Sequence, residues 1–244
     1  MQTNLKDNWG FILFAVGSLV AYLGLVAVDW INGTLRDQFV TQTINWYLVA
    51  FVFFVILVVW GEKRPLSLRW VWICAILFRV LLLFTTPTLS DDVYRYMWDG
   101  YVATEGVSPF AFPIDSPELD YLDIPQRALA NNTWMASPYM PVAQWIFWGL
   151  ALVFPLHPFF FQLLMVIFDL LSGWLIYQLL ILGNYPKHRL ILYLLNPFVI
   201  VEVAHGAHVD AWMICLFLAA FWLTFRSEQS AKSIWSPILM AGST

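Results

Sequence analysis

Charged residues are scarce in this sequence. Asp, Glu, Lys and Arg make up 11% of the 244 residues, whereas 61% are hydrophobic and 18% aromatic, and the mean hydropathy is +0.71. A chain of this length cannot bury so large an apolar fraction in a water-soluble core, so the composition predicts an integral membrane protein. The net charge is −4, and no basic stretch is interleaved with aromatic residues, which argues against nucleic-acid binding.

Cysteine is also rare. Cys74 and Cys215 both lie in apolar stretches, so we expect two packing residues and neither a disulfide framework nor a Cys-x-x-Cys metal site. A glycine-rich phosphate loop and an internal repeat of about 20 to 50 residues are absent from the sequence as well. Lys6 and Asp7 precede an apolar stretch without a small-residue cleavage site, which predicts that this first stretch is retained.

What the sequence does contain is a succession of apolar stretches. A membrane-spanning helix needs about 20 residues, and several stretches are shorter, so tilt or re-entrant geometry must make up the difference. The predicted fold is all-α: one polytopic bundle of transmembrane helices over residues 1–244, with a structured external loop at 86–141 that carries short interfacial helices. The stretches lie at 10–28, 46–60, 70–85, 142–156, 158–182, 190–204 and 211–225, and another begins near 234.

Basic loops predict the orientation of the chain. Cytoplasmic loops are enriched in Lys and Arg, which places the loop 61–69, with its three basic residues, inside and the acidic segment 86–141 outside. The basic loop 187–189 is expected inside as well. This requires that 142–156 forms a re-entrant or interfacial helix instead of a crossing, and it brings residues 205–210 to the external side.

One polar stretch, TLSDDVYRYMWDG at 88–100, interrupts the apolar pattern. Pro87 ends the preceding stretch, and Ser90 is a good helix N-cap. Asp91 and Asp92 then occupy the first turn of a helix, where the helix dipole favours anions. Capping alone would explain the position of both acids.

The same stretch also suits the binding of a sugar and a phosphate. At helical spacing its carboxylates, cation and aromatic rings fall on two neighbouring faces at the membrane surface. Capping does not explain this clustering, so the residues alone leave capping and function both open, with Asp99 expected to be structural. One face holds Asp92, Tyr96 and Asp99, and the other holds Asp91, Arg95 and Trp98.

Three charges, Arg79, Asp169 and Glu202, lie within apolar stretches. Charges at this depth are costly and usually face a bundle interior or a polar cavity. A structural ion pair of Arg79 with Asp169 or Glu202 is one interpretation. A functional cavity is the other, favoured for Arg79 and Glu202 because they should lie nearer the outer surface.

The segment HGAHVD contains His205, His208 and Asp210. Isolated membrane histidines are more often packing residues than ligands. His208 and Asp210 nevertheless lie at a helix junction, where a metal, a phosphate or a hydroxyl group can be bound. Because His-x-Asp is a weak metal signature, we predict no metal ligands and no cofactor, and leave a divalent cation open.

Three segments together resemble the polytopic glycosyltransferases of the GT-C superfamily, in particular the bacterial polyprenyl-phosphate-sugar-dependent mannosyltransferase-like proteins. The segments are RVLLLFTTPTLSDDVYRYMWDGYVATEGVSPFAF, SPYMPVAQWIF and LLNPFVIVEVAHGAHVDAWMI. The resemblance implies a hexosyltransferase, with mannose as the commonest sugar. Its donor would be a polyprenyl-phosphate sugar and its acceptor a glycan or glycolipid, met at the external, periplasmic face of a bacterial inner membrane.

The resemblance also implies roles for individual residues. Asp91 matches the acid that acts as catalytic base, and Asp92 matches its acidic neighbour. In an inverting transfer the base takes the proton of the acceptor hydroxyl while the polyprenyl phosphate leaves as a stable anion, so no strong general acid is needed. Cationic and hydrogen-bonding groups would bind the donor. The candidates are Arg79, Arg95, Tyr96, Glu202, His205, His208 and Asp210.

The chain departs from the superfamily pattern at SIWSPILMAGST, where it stops. Members generally continue through further helices, so we expect an N-terminal portion, truncated at its C-terminus, or a module that needs a partner subunit. Two alternatives to an enzyme follow from the same residues. A transporter or lipid flippase would also use intramembrane charges, although paired broken helices are not evident, and a non-catalytic membrane subunit would explain the length.

Overall fold

A computed structural model of the protein describes residues 9–32, 36–61 and 66–228. Within these ranges the chain is helical and contains no strand, which confirms the predicted all-α class. The basic part of the loop 61–69 at residues 63 and 64, and the stretch expected near 234, lie outside the described residues. The helices are α1 (Trp9–Asn32), α2 (Arg36–Gly61), α3 (Leu68–Leu82), α4 (Asp92–Thr104), α5 (Pro125–Leu129), α6 (Pro141–Val153), α7 (Pro158–Leu182), α8 (Ile191–Leu194), α9 (Pro197–Ile200) and α10 (Asp210–Glu228). Short 3-10 turns lie at Pro117–Leu119 and Lys187–Leu190, and a π turn lies at Val201–His205.

Among the described residues, three helices are long and apolar enough to cross a membrane: α1, α2 and α7. They contain 24, 26 and 25 residues and are therefore longer than the hydrocarbon core of about 30 Å. α1 packs along α2, and α7 packs along α10. Large apolar side chains such as Val20, Val52 and Ile167 remain exposed on their outer faces, as expected where lipid and not water is the neighbour. The protein is thus a membrane protein.

Helix α6 is too short to cross the membrane. Its 13 residues span about 20 Å, and it packs against α4, the long helix of the external loop. This length and this packing are consistent with the interfacial or re-entrant helix predicted for 142–156.

Gly100 lies at a close approach of α4 and α6. A Cβ at Gly100 would lie 2.4 Å from the carbonyl oxygen of Phe147 and 3.2 Å from the Cβ of Ala151. We expect Gly100→Ala to push the two helices apart and to lower the free energy of unfolding by about 1–3 kcal/mol, measured by thermal unfolding in detergent.

The matched control is Gly149→Ala on α6. A Cβ at Gly149 meets nothing within 4 Å, and Ala is favoured over Gly inside a helix by about 0.5–1 kcal/mol, so this variant should be neutral or more stable. Equal unfolding midpoints for Gly100→Ala and the wild type would contradict the close approach of the helices.

The apolar stretch at 190–204 is not one helix but a series of short turns. Pro197 has no N–H to continue a preceding helix and instead starts α9. The Asn196 side chain caps this new start by accepting the N–H of Phe198 at 3.0 Å. The chain then passes through the π turn and leaves it through Ala207, which has a positive φ of 58°. The predicted stretch is therefore helical over most of its length but is interrupted where Asn196 and Pro197 start a new helix.

Arg79 of α3 and Asp169 of α7 form an ion pair at the centre of the bundle, and both side chains are fully buried. Arg79 Nη1 also donates to the carbonyl oxygen of Leu194 at 2.8 Å, and the Tyr193 hydroxyl donates to Asp169 at 2.7 Å. The predicted structural ion pair is confirmed, with Asp169 as the partner. It fastens α3, α7 and α8 together.

The loop 86–141 has a small hydrophobic core of its own, which confirms the predicted structured loop with short helices. Arg127 of α5 closes this core: its guanidinium lies 5.5 Å from the ring centre of Trp98 and pairs with Asp120 at 2.9 Å. The same guanidinium donates to carbonyl oxygens of the loop. The core residues are Trp98, Val102, Ile114, Leu119, Leu122 and Ala130, and the acceptor carbonyls belong to Ile114, Ser116 and Leu119.

Candidate functional site

The acidic pair lies where the chain enters α4. The helix begins at Asp92 and has Asp91 at its N-cap position, so the predicted cap, Ser90, is one residue too early. Ser90 Oγ still accepts the N–H of Asp92 at 3.2 Å and so holds the start of the helix. Both aspartates are partly exposed and lie at the N-terminal end of the α4 helix dipole.

Asp92 belongs to a cluster that joins distant parts of the sequence. Asn131 Nδ2 donates to Asp92 Oδ1 at 2.6 Å. His208 Nδ1 lies 3.7 Å from Asp92 Oδ2, at ion-pair distance, and His208 Nε2 lies 3.1 Å from Glu202 Oε2. The side chains of Asp92, His208 and Glu202 are 31%, 23% and 32% exposed, so a ligand can reach them.

Acidic neighbours favour the charged form of His208. The hydrogen bond with Glu202 is the largest cause that raises the pKa of this imidazole; partial burial opposes it, and the charges of Glu202, Asp92 and Asp210 raise the pKa further. Even with His208 charged, carboxylates outnumber cations in the cluster. Such a site suits sugar hydroxyl groups, which hydrogen-bond to carboxylates and to an imidazolium.

Arg95 lies below this site and is buried in contacts with its own protein. Its Nε donates to Asp99 at 3.0 Å, and both side chains are only 2% exposed. Its other two nitrogens donate to the carbonyl oxygens of Asn132 at 3.2 Å and Met135 at 3.0 Å. All three guanidinium nitrogens therefore have partners within the protein, and the role of Arg95 in donor binding stays a prediction. Asp99, expected to be structural, also accepts Gln144 at 2.9 Å.

Tyr96 is buried between α4 and α6. Its ring stacks on Phe147 with centroids 4.7 Å apart and meets Tyr139 edge-on at 5.1 Å. Burial raises the pKa of Tyr96, with Tyr139 and Asp92 acting in the same direction. Tyr96 is therefore a neutral packing residue in this structure, and its contact with the donor stays a prediction.

His205 is also a structural residue in this fold. Its Nε2 accepts the backbone N–H of Thr88 at 3.1 Å, and its Nδ1 lies 2.8 Å from the Thr85 hydroxyl. Since Nε2 accepts, the geometry assigns the ring proton to Nδ1, which donates to Thr85. Gln162 of α7 binds the carbonyl oxygens of Thr85 and His205 at 3.0 and 3.1 Å. These contacts tie the π turn to the segment that leads into α4.

The remaining predicted site residues are divided between the core and the surface. Arg79 is held in the buried ion pair with Asp169, away from the exposed cluster. Asp210 is exposed at the first position of α10 and contributes to the electrostatics of His208. Of the predicted residues, the structure therefore assembles Asp92, Glu202 and His208, with Asp91 directly adjacent in the chain.

Two contacts in and beside this site escaped sequence reasoning. Asn131 lies 39 positions after Asp92, in a polar loop, and nothing in its local pattern indicates that contact. Gln162 interrupts an apolar helix and is 1% exposed; a buried amide in such a position is a usable signal, because buried polar groups need partners.

No group of three or more His, Cys, Asp or Glu side chains in the described ranges is arranged to hold a metal ion. The acidic cluster shows why, since Asp92 and Glu202 face opposite nitrogens of His208 and do not converge on one point. Close to the site, a groove of about 660 Å³ runs between the 83–86 segment, α4, α5 and the start of α7. Its lining is largely apolar and includes Phe84, Phe159 and Phe160.

The family model for the alpha-(1->6)-mannopyranosyltransferase N-terminal domain, MptA_B family, matches residues 9–244. The match therefore covers both the external loop and the turn that carries His208. No curated protein and no solved structure matches the chain.

Proposed function

Because the chain belongs to the MptA_B family of alpha-(1->6)-mannopyranosyltransferases, we propose that it transfers mannose from a polyprenyl-phosphate donor to an acceptor hydroxyl at the outer face of a membrane. Membership of a mannosyltransferase family supports the sugar and the reaction class. One structural observation carries the proposed site: Asp92, the second residue of the acidic pair at the start of α4, faces His208, which is paired with Glu202 of the π turn.

In the proposed reaction Asp91 is the catalytic base. Its carboxylate takes the proton of the acceptor hydroxyl as that oxygen attacks the anomeric carbon, and the bond from this carbon to the phosphate oxygen breaks. The polyprenyl phosphate leaves with the electron pair. Such a displacement inverts the anomeric carbon, so the alpha linkage in the family description corresponds to a beta-linked donor.

The exposed cluster supplies groups for the sugar. Asp92 is held by Asn131 and faces His208, so its carboxylate is oriented before any ligand binds, and preorganised groups lose little entropy on binding. Arg79 and Arg95, two of the predicted donor ligands, are engaged in ion pairs with Asp169 and Asp99.

A lipid-linked donor also fits the architecture. The site lies beside membrane-spanning helices, so the polyprenyl chain can remain in the bilayer while the sugar reaches the loop. The apolar groove beside α4 is where we place the first isoprene units. The transporter alternative has less support, because two of the intramembrane charges it would use, Arg79 and Asp169, pair with each other in the core.

The test is a transfer assay in sealed vesicles. The chain is reconstituted in a known orientation with polyprenyl-phosphate mannose as donor and a membrane-impermeant oligomannoside as acceptor. We expect alpha-(1->6)-linked product, identified by NMR of the extended glycan, only where the acceptor has access to the side that carries the 86–141 loop. Transfer from a nucleotide sugar alone, or only with the acceptor on the opposite side, would overturn the proposed donor or the proposed sidedness, respectively.

A further inference from the structure

The turn between the π turn and α10 is unusually constrained. A Cβ at Gly206 would lie 2.8 Å from the carbonyl oxygen of Glu202 and 2.8 Å from Cδ2 of His208, so only glycine leaves room for the imidazole there. Ala207 has a φ of 58°, in the left-handed region that is unfavourable for a residue with a Cβ. The N–H of His208 also lies 3.2 Å from the carbonyl oxygen of Glu202.

These features act together to place one side chain. The π turn, the glycine and the left-handed alanine bend the chain back so that the His208 ring lies over Glu202 and points its other nitrogen at Asp92. Strained backbone and π turns concentrate at functional sites, because elsewhere nothing repays their cost. The His208 ring is partly exposed, so apolar packing alone does not explain its placement. The constrained turn therefore indicates a functional reason for this placement.

We propose that His208 is a positioning residue for the acidic pair: anchored by Glu202, it orients Asp92 at the start of α4 beside the proposed base Asp91. The inference rests on the proposed function and extends it to the turn after the broken helix. Each Asp92 oxygen then faces a partner from a different segment, Asn131 at 2.6 Å and His208 at 3.7 Å.

We call the arrangement of His208 between Glu202 and Asp92 the clamp. The clamp depends on the charge of His208. The charged groups that face the ring are Glu202 from the π turn, Asp92 from α4 and Asp210 from the start of α10, and all are acidic. They raise the pKa of His208 above its ordinary value of 6.5. The imidazolium, and with it the attraction to Asp92, is therefore fully present below the ordinary pKa and is lost as the pH rises through the raised pKa.

The first experiment compares pH profiles of kcat/KM for the wild type, Glu202→Gln and His208→Gln. We expect an alkaline limb in the wild type. Glu202→Gln should move that limb to lower pH, because it removes the largest cause of the raised pKa. His208→Gln should abolish the limb and slow transfer by roughly 10- to 100-fold through misplacement of Asp92. A purely structural histidine would lower protein yield or stability without moving the limb.

Glu105→Gln is the matched control, since Glu105 is an exposed carboxylate at the opposite end of α4. Its profile should superimpose on that of the wild type. Size-exclusion profiles and unfolding midpoints confirm that each variant is folded. If the limb stays in place in Glu202→Gln, or persists in His208→Gln, the positioning role is overturned while the proposed transfer activity stands.

The second experiment needs no activity. The chain contains four histidines, so imidazole NMR signals of labelled protein in micelles can be assigned by comparison with His208→Gln. We expect a His208 pKa above 6.5 that falls in Glu202→Gln. A His208 pKa at or below 6.5 that ignores Glu202 would refute the clamp. A raised, Glu202-dependent pKa in a protein that transfers no sugar would uphold the clamp geometry and overturn the function, and with it the role in transfer.

Discussion

Replacement of Asp91 by Asn is expected to slow sugar transfer by about 10²- to 10⁴-fold, the usual contribution of a general base. The amide matches the carboxylate in shape but cannot take the proton of the acceptor hydroxyl. Asn is as good an N-cap as Asp, so α4 should start at the same residue and the protein should remain folded. Initial rates with the polyprenyl-phosphate mannose donor, at matched amounts of folded protein, measure the effect.

The neighbouring acid provides the comparison for Asp91→Asn. Asp92→Asn keeps the proposed base but loses the charge that faces His208, so a smaller loss of roughly 10- to 100-fold is expected. Glu105→Gln should leave the rate unchanged. If Asp91→Asn retains transfer while Asp92→Asn abolishes it, the base is Asp92, and our assignment within the pair is wrong although the family conclusion is unaffected.

Replacement of Asp169 by Asn should have the largest effect on stability. It leaves the Arg79 guanidinium fully buried without its counter-charge, and breaking a buried ion pair from one side costs about 3–5 kcal/mol. The amide oxygen of Asn can still accept the hydrogen bond from the Tyr193 hydroxyl, so the expected loss comes from the unpaired charge of Arg79. Thermal or denaturant unfolding in detergent, followed by near-UV circular dichroism, measures the loss.

A double variant separates charge burial from other causes. Arg79→Met combined with Asp169→Leu removes both charges at similar volume, and such replacements are often neutral or stabilising. The double variant should therefore recover most of the stability lost in Asp169→Asn, and Tyr193→Phe alone should cost only about 1 kcal/mol. Wild-type stability in Asp169→Asn, together with lost activity, would instead assign Asp169 a functional role.

Some elements could be predicted from the sequence because they depend on a short local pattern or on the apolar composition, and not on which helices pack together. The stretch 158–182 coincides with α7, since Pro158 marks its start and an unbroken apolar run defines its length. The pairing of Arg79 was predictable in kind because a charge in the membrane interior must find a partner there. Which of two acids it met depended on how α3 and α7 are placed side by side.

Other elements depended on contacts that no local pattern announces. Arg95 has the features of a phosphate ligand in the sequence, yet each of its nitrogens donates to Asp99 or to carbonyl oxygens more than 35 positions away. His205 and His208 are three residues apart, yet His205 is buried and His208 is partly exposed. The first is buried by the segment that leads into α4, and the second is exposed by the strained turn.

The sequence by itself determined that this is a membrane protein of the helical class and that the acidic pair is the main candidate site. These conclusions follow from composition, periodicity and a rare polar stretch in an apolar chain. Only the tertiary structure decided which of the candidate residues share a site. The reason is long-range packing, which brings Asp92 next to His208, the partner of Glu202, across more than a hundred residues. The same packing places Arg79, Arg95 and His205 in structural contacts within the fold.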